Sequence, residues 1–143
     1  MKKQILTVAA AVVLTALAPA ASHAQEVTEA KVPFAFQAGD TKMPAGEYQI
    51  RRTLSSSKAV QQVRRTDSSA STFVMTYPTD AKEKGAVPKL IFNCYSDECF
   101  LSEIWSGHGQ GLKLAESRRE KELSRATTEN ELAVVSVPLT VKP

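Results

Sequence analysis

The chain has few of the residues that most often carry chemistry. Its 143 residues include two histidines, two cysteines and one tryptophan, and aromatic residues make up 6%. So few imidazoles and thiols leave no zinc-type ligand cluster and no nucleophile paired with an orienting base in any recognisable spacing. No repeat of solenoid length is present. After the first apolar run no second one is long enough to span a bilayer. Charge of one sign is also missing. The formal net charge is +3, and Lys2 and Lys3 supply two of those charges. The rest of the chain is close to neutral, which argues against nucleic acid or an anionic membrane as the partner.

What is present begins with an export signal. Lys2 and Lys3 precede an apolar run from Ile5 to Ala18, interrupted only by Thr7 and Thr15, and Pro19 ends it. Small residues then lead to Ser22-His23-Ala24, the pattern accepted by signal peptidase, which predicts cleavage after Ala24. The run is short for a membrane anchor. No cysteine near the cleavage site offers a lipid attachment point, and the lysine pair is not a twin-arginine signal. Residues 25–143 are then one domain. The predicted localisation is periplasmic or secreted. Cleavage removes His23 and leaves His108 as the one histidine.

Cys94 and Cys99 therefore fold in an oxidising compartment. They flank Tyr95-Ser96-Asp97-Glu98, between Leu90-Ile91-Phe92 and Phe100-Leu101. This reads as a hairpin with Ser96-Asp97 at its tip. In that register Tyr95 faces Glu98, and Cys94 faces Cys99 in the next pair, where side chains approach most closely. A structural disulfide is predicted. The C-x4-C spacing is not the C-x-x-C of redox centres, and two thiols without a nearby histidine make a poor metal site.

Elsewhere period-two alternation dominates. Val32, Phe34 and Phe36 alternate with Pro33 and Ala35, and because Pro33 lacks an amide donor that strand should lie at a sheet edge or begin one. Residues 47–54, 58–65 and 72–77 follow as strands, with Phe73, Met75 and Tyr77 sharing one face. Residues 78–87 read as a solvated loop, 106–111 as a glycine-rich connector and 131–141 as a last strand. The second cysteine strand is apolar on both faces, with Phe100 and Ile104 on one and Leu101 and Trp105 on the other, which marks a central strand. Ser117-Arg118-Arg119-Glu120 matches a capping box and opens a helix to about Ala126, with a thin apolar stripe of Leu123 and Ala126. The predicted fold is mainly β, an antiparallel sandwich or open barrel of about 6–8 strands with one short helix near the C-terminus.

Several segments resemble one another's counterparts in a known group. Val32-Pro33-Phe34-Ala35-Phe36-Gln37-Ala38-Gly39-Asp40, Met43-Pro44-Ala45-Gly46-Glu47-Tyr48-Gln49-Ile50, Phe100-Leu101-Ser102-Glu103-Ile104-Trp105 and Ser117-Arg118-Arg119-Glu120-Lys121-Glu122-Leu123 look like a family of small secreted or periplasmic proteins common in soil bacteria. The resemblance implies export and a single compact domain and implies no activity. The cysteine pair departs from that family's pattern.

The candidate site residues are few. Tyr48, Tyr77, Tyr95 and Trp105 could stack on sugars, with Tyr95 near the hairpin tip as the exposed candidate and Trp105 and Tyr48 as core residues. His108 sits between glycines without a partner to orient it. The candidate ligand contacts are thus Tyr95, Trp105 and His108. Gly107, Gly109 and Gly111 form G-x-G-x-G, neither the dinucleotide fingerprint nor the phosphate loop, so no cofactor is predicted. Arg51-Arg52 and Arg64-Arg65 place one arginine on each face of their strands, and Glu47 is expected beside Arg65. Glu98 and Glu103 are a candidate carboxylate pair for glycoside hydrolysis. The leading functional expectation is a non-enzymatic module that binds a protein or glycan of the cell envelope. The alternatives are a small extracytoplasmic hydrolase using acidic residues, and strand-mediated assembly through the Pro33 edge or the segment 134–141.

Overall fold

The alternating pattern folds as a long, coiled antiparallel sheet. The computed structural model describes residues 27–54, 57–82, 84–128 and 131–142. The export signal and most of the Ser55–Ser57 turn lie outside the described residues. The strands are β1 (Val27–Val32), β2 (Phe36–Ala38), β3 (Thr41–Met43), β4 (Gly46–Leu54), β5 (Ser57–Arg65), β6 (Ser71–Lys82), β7 (Lys89–Tyr95), β8 (Glu98–Trp105), β9 (Gln110–Leu114), β10 (Leu132–Pro138) and β11 (Thr140–Lys142), with one helix, α1 (Arg118–Ala126).

The strand order is β10-β7-β8-β9-β6-β5-β4-β1-β11, and the β2–β3 hairpin joins β8 through the one parallel bridge, Gln37 to Phe100. Strand β6 is long enough to serve two sheets. Its first half pairs with β5 and its second half with β9. The path does not close by hydrogen bonding, but its two ends are consecutive pieces of one segment. Strand β10 pairs with β7 and β11 with β1, and only the buried Leu139 separates them. This is the open-barrel form of the predicted architecture.

Eleven strands replace the expected 6–8 because several are too short or too polar for an alternation pattern to register. The β2–β3 hairpin contributes two three-residue strands. Strand β1 begins at Val27, ahead of the first alternating run. Strand β6 runs on to Lys82 through the supposed solvated loop, and β9 begins at Gln110 within the supposed connector. The last strand is interrupted at Leu139. Pro33 lies between β1 and β2, outside both strands, rather than in an edge strand or at the start of one.

The core is lined by inward residues of β1 to β10 and by Leu139, which lies between β10 and β11. Phe36 meets Tyr48 and Phe92 edge-to-face, with centroids 5.1 and 5.2 Å apart, and Phe34 meets Phe92 at 5.1 Å. The Val32-Pro33-Phe34-Ala35-Phe36 alternation thus buries Val32 and Phe36 and half-buries Phe34 although it is not one continuous strand. Tyr48 is fully buried and its hydroxyl donates to the Pro44 carbonyl.

One irregularity decides which side chains face outward. The β7–β8 ladder pairs Ile91 with Glu103 and Phe92 with Leu101, leaving Ser102 as an extra residue. Such a bulge reverses the side-chain phase beyond it. Leu101 and Ile104 therefore share the core face opposite Phe92 and Leu90, while Phe100 and Trp105 share the outer face opposite Asn93 and Lys89. This corrects the expected grouping of Phe100 with Ile104 and of Leu101 with Trp105.

Candidate functional site

The outer face of the barrel divides into a covered half and a bare half. The covered half is built on β7 and β8. The cysteine hairpin has the expected register, with Tyr95 opposite Glu98 and Cys94 opposite Cys99, and the two cysteines form a disulfide. On its outer face Tyr95 and Phe100 pack edge-to-face at 5.9 Å. Helix α1 lies over them. Ser117 caps it, accepting from the Glu120 amide at 3.1 Å. The Glu120 carboxylate points into the sheet and accepts from Asn93 Nδ2 at 3.3 Å. It is the buried residue of the helix; Ala126 is exposed and Leu123 only half-buried, so the expected apolar stripe is not what docks α1. Arg119 adds a bidentate pair with Glu98, its Nε 3.1 and 3.2 Å from the two carboxylate oxygens.

These contacts set opposite electrostatics on two glutamates. Burial, reinforced by Glu116, raises the Glu120 pKa above the ordinary carboxylate value, against the hydrogen bond from Asn93. The Arg119 hydrogen bonds, with help from Lys42 and Gln37, lower that of Glu98. Tyr95 is raised by burial and by the nearby Glu120 and Glu116.

The expected contact residues are placed as follows. Tyr95 is 5% exposed beneath α1, so the premise that it is accessible is corrected: its hairpin tip is near, but its side chain faces the helix. Trp105 is buried, donates from Nε1 to Glu103 at 2.7 Å and lies under Lys89. Its ring occupies the space where a side chain at Gly111 would be, 2.5–2.9 Å from the position of a Cβ there, so that glycine serves packing. His108 is exposed in the turn between Gly107 and Gly109, both of positive φ. The structure does not bring these three together. Glu98 and Glu103 lie opposite Tyr95 and Ile91, four residues apart on β7, which puts their Cα atoms about 13 Å apart. Each carboxylate is bound to a different partner. Arg65 lies opposite Tyr48 rather than Glu47 and pairs with Asp67 at 2.6 Å. Among the described residues no three His, Cys, Asp or Glu side chains converge, and no helix is long and apolar enough to cross a membrane.

The bare half centres on β6. Its inward residues are Thr72, Val74 and Thr76. Its outward residues, Phe73, Met75 and Tyr77, are 59%, 59% and 54% exposed. The packing inside explains the choice. The β2–β3 hairpin comes against the inner side of β6, with Gly39 near Val74 and Thr41 hydrogen-bonded to Thr72 at 3.0 Å. Small side chains fit there and aromatic rings do not, so the larger alternate set is turned to solvent. Sequence alternation groups the three residues but does not say which face is inward.

Basic residues flank this stripe. Arg51 is opposite Gln62, which is opposite Phe73; Arg64 is the diagonal neighbour of Phe73 on β5. Lys113 on β9 is opposite Tyr77. The β4–β5 register therefore brings Arg51 and Arg64, one from each arginine pair, onto one face, a juxtaposition invisible to either pair alone. Among the described residues, shallow depressions lie elsewhere, one of about 320 Å³ beside Glu29, Glu47 and Thr140 and another of about 180 Å³ beside Gln37, Lys42 and Glu98. Neither contains a converging catalytic set. Compared with known proteins, the chain matches no family model, no curated protein and no solved structure.

Proposed function

We propose that the protein is an exported, non-enzymatic binding module that engages a component of the cell envelope through the outer face of β6. The observation that carries this is the stripe of Phe73, Met75 and Tyr77, three large side chains left more than half exposed on a strand whose first half pairs with β5 and whose second half pairs with β9. Contiguous exposed apolar surface of this kind marks interaction sites. Export is supported by the charged, apolar and small-residue regions of the N-terminus. It is also supported by the Cys94–Cys99 bridge, a bond that persists in oxidising compartments. A binding role is further supported by the engagement of the two candidate carboxylates by separate partners, Glu98 by Arg119 and Glu103 by Trp105.

The test is a pull-down of tagged protein from envelope and culture-supernatant fractions. It compares wild type with a variant carrying Phe73→Thr, Met75→Thr and Tyr77→Thr. Threonine keeps the strand propensity and removes the apolar surface. A partner retained by wild type and lost by the variant is expected; equal capture by both would overturn the assignment.

A further inference from the structure

The spacing, extent and charge of the stripe narrow the chemistry of its partner. Same-face residues on a strand recur about every 6.7 Å. A helix presents one face every four residues, about every 6 Å. Apolar residues at i, i+4 and i+8 of a helix laid along β6 therefore meet Phe73, Met75 and Tyr77 nearly one to one. The first half of β6 is in a ladder with β5 and the second half with β9, so no single free edge runs the length of the stripe, and its side chains are what this face offers a partner.

The extent excludes a stable face-to-face dimer of this chain. Three half-exposed side chains offer a patch of a few hundred Å², whereas a stable interface buries roughly 800 Å² per partner. Charge gives the sign. Arg51 and Arg64 stand on one side of the stripe and Lys113 on the other. Arg51 donates to the neutral amide of Gln49 at 2.8 Å, and Arg64 and Lys113 make no ion pair among the described residues. Of the neighbouring acids, Glu29 is engaged by Lys142 and Gln49, and Glu103, opposite Lys113 on β8, by Trp105, while Asp80 is exposed on β6 three residues beyond Tyr77, so the basic character is strongest at the Phe73 end, beside Arg51 and Arg64.

We propose that the outer face of β6 docks an acidic amphipathic helix of a partner protein. Three apolar side chains at four-residue intervals lie on Phe73, Met75 and Tyr77, and flanking carboxylates face Arg51, Arg64 and Lys113. This rests on the assignment of β6 as the contact surface. A bilayer fits less well, because these side chains project from mid-sheet rather than from a protruding loop.

The probe is a labelled 16-residue helical peptide with leucine at three four-residue intervals and glutamate on both flanks. Its control carries lysine in place of each glutamate. Both are titrated by fluorescence anisotropy against the exported, oxidised protein. The acidic peptide is expected to bind at least tenfold more tightly than the basic one. The Phe73→Thr, Met75→Thr, Tyr77→Thr variant should raise its Kd at least tenfold. An Arg51→Gln, Arg64→Gln variant should weaken it severalfold and flatten its salt dependence; near-UV circular dichroism confirms that each variant is folded. Equal binding of the two peptides, or binding indifferent to the stripe, overturns the proposal. So does stripe-dependent binding to phosphatidylglycerol vesicles or envelope oligosaccharides without peptide binding. If the triple variant loses envelope capture while the acidic peptide binds no better than the basic one, the contact surface stands and the helical partner falls. If capture is also unaffected, both fall.

Discussion

The two halves of the outer face carry similar side chains and are treated oppositely. On β7 and β8, Tyr95, Phe100 and Trp105 are each 5% exposed or less. On β6, Phe73, Met75 and Tyr77 are each more than 50% exposed. At the hairpin end the cover is a helix that is almost wholly polar, held by Glu120 on Asn93 and by Arg119 on Glu98, while Trp105, at the other end, is packed by Lys89 and Gly111. The fold therefore has a device for hiding outward aromatic residues and applies it to one half. The large residues of β6 stay uncovered on a strand whose inner positions hold Thr72, Val74 and Thr76. This contrast, more than exposure alone, separates a binding surface from incidental apolar area.

The largest expected effect tests that contrast directly. Phe100→Ala should cost about 3–5 kcal/mol of stability, because it empties a packed position under α1. Phe73→Ala should change stability by no more than about 0.5 kcal/mol, as a surface substitution does. Urea unfolding of the two variants gives both numbers. Similar costs would mean that the stripe on β6 is packed in solution, and the comparison would break.

Gly111→Ala comes next. A methyl group there meets the Trp105 ring and should cost up to about 3 kcal/mol through overpacking. The protein has one tryptophan, so its emission reports the displacement without ambiguity. An unshifted spectrum with unchanged stability would remove Trp105 from the covered half. Third is the Cys94→Ala, Cys99→Ala double variant. The bridge closes a short loop, which gives about 2 kcal/mol in the chain-entropy account. Because the hairpin carries the surface under α1, the loss should also speed amide exchange in α1 more than in β6.

How much of this was legible depended on whether the signal was local. The Cys94–Cys99 register follows from two-residue loop geometry and is legible in the hairpin sequence. The helix start at Ser117 is a local hydrogen-bond pattern and was equally readable. The bulge at Ser102 depends on pairing with a partner strand and left no composition mark, so the faces of Phe100, Leu101, Ile104 and Trp105 were misassigned. The burial of Tyr95 depends on where a helix more than twenty residues later comes to rest. The exposure of Phe73, Met75 and Tyr77 depends on a hairpin filling the space behind Thr72 and Val74. Alternation shows that two sets of residues face opposite ways; volume supplied by other strands decides which set is inside.

The smallest effect concerns how the covered half is held. Glu120 has its pKa raised in the folded state, mainly by burial and then by Glu116, while Asn93, Lys113 and Tyr95 oppose the rise. An acid of raised pKa binds more protons folded than unfolded, so stability falls as pH rises from the ordinary glutamate range through the raised value. Glu98 works the other way. Arg119 lowers its pKa, and that contribution is lost as pH falls through the lowered value. The docking of α1 should therefore be strongest in mild acid, between the two titrations, and weaker on either side. Glu120→Gln keeps an oxygen acceptor for Asn93 and removes the charge. The variant should melt slightly higher than wild type at neutral pH and lose the decline on the alkaline side, while the acid-side decline set by Glu98 remains. Melting temperatures measured from pH 3 to 8 test both limbs. A variant whose profile overlays wild type throughout would show that Glu120 is solvated, and that the polar helix covers Tyr95 and Phe100 by some contact other than this buried carboxylate.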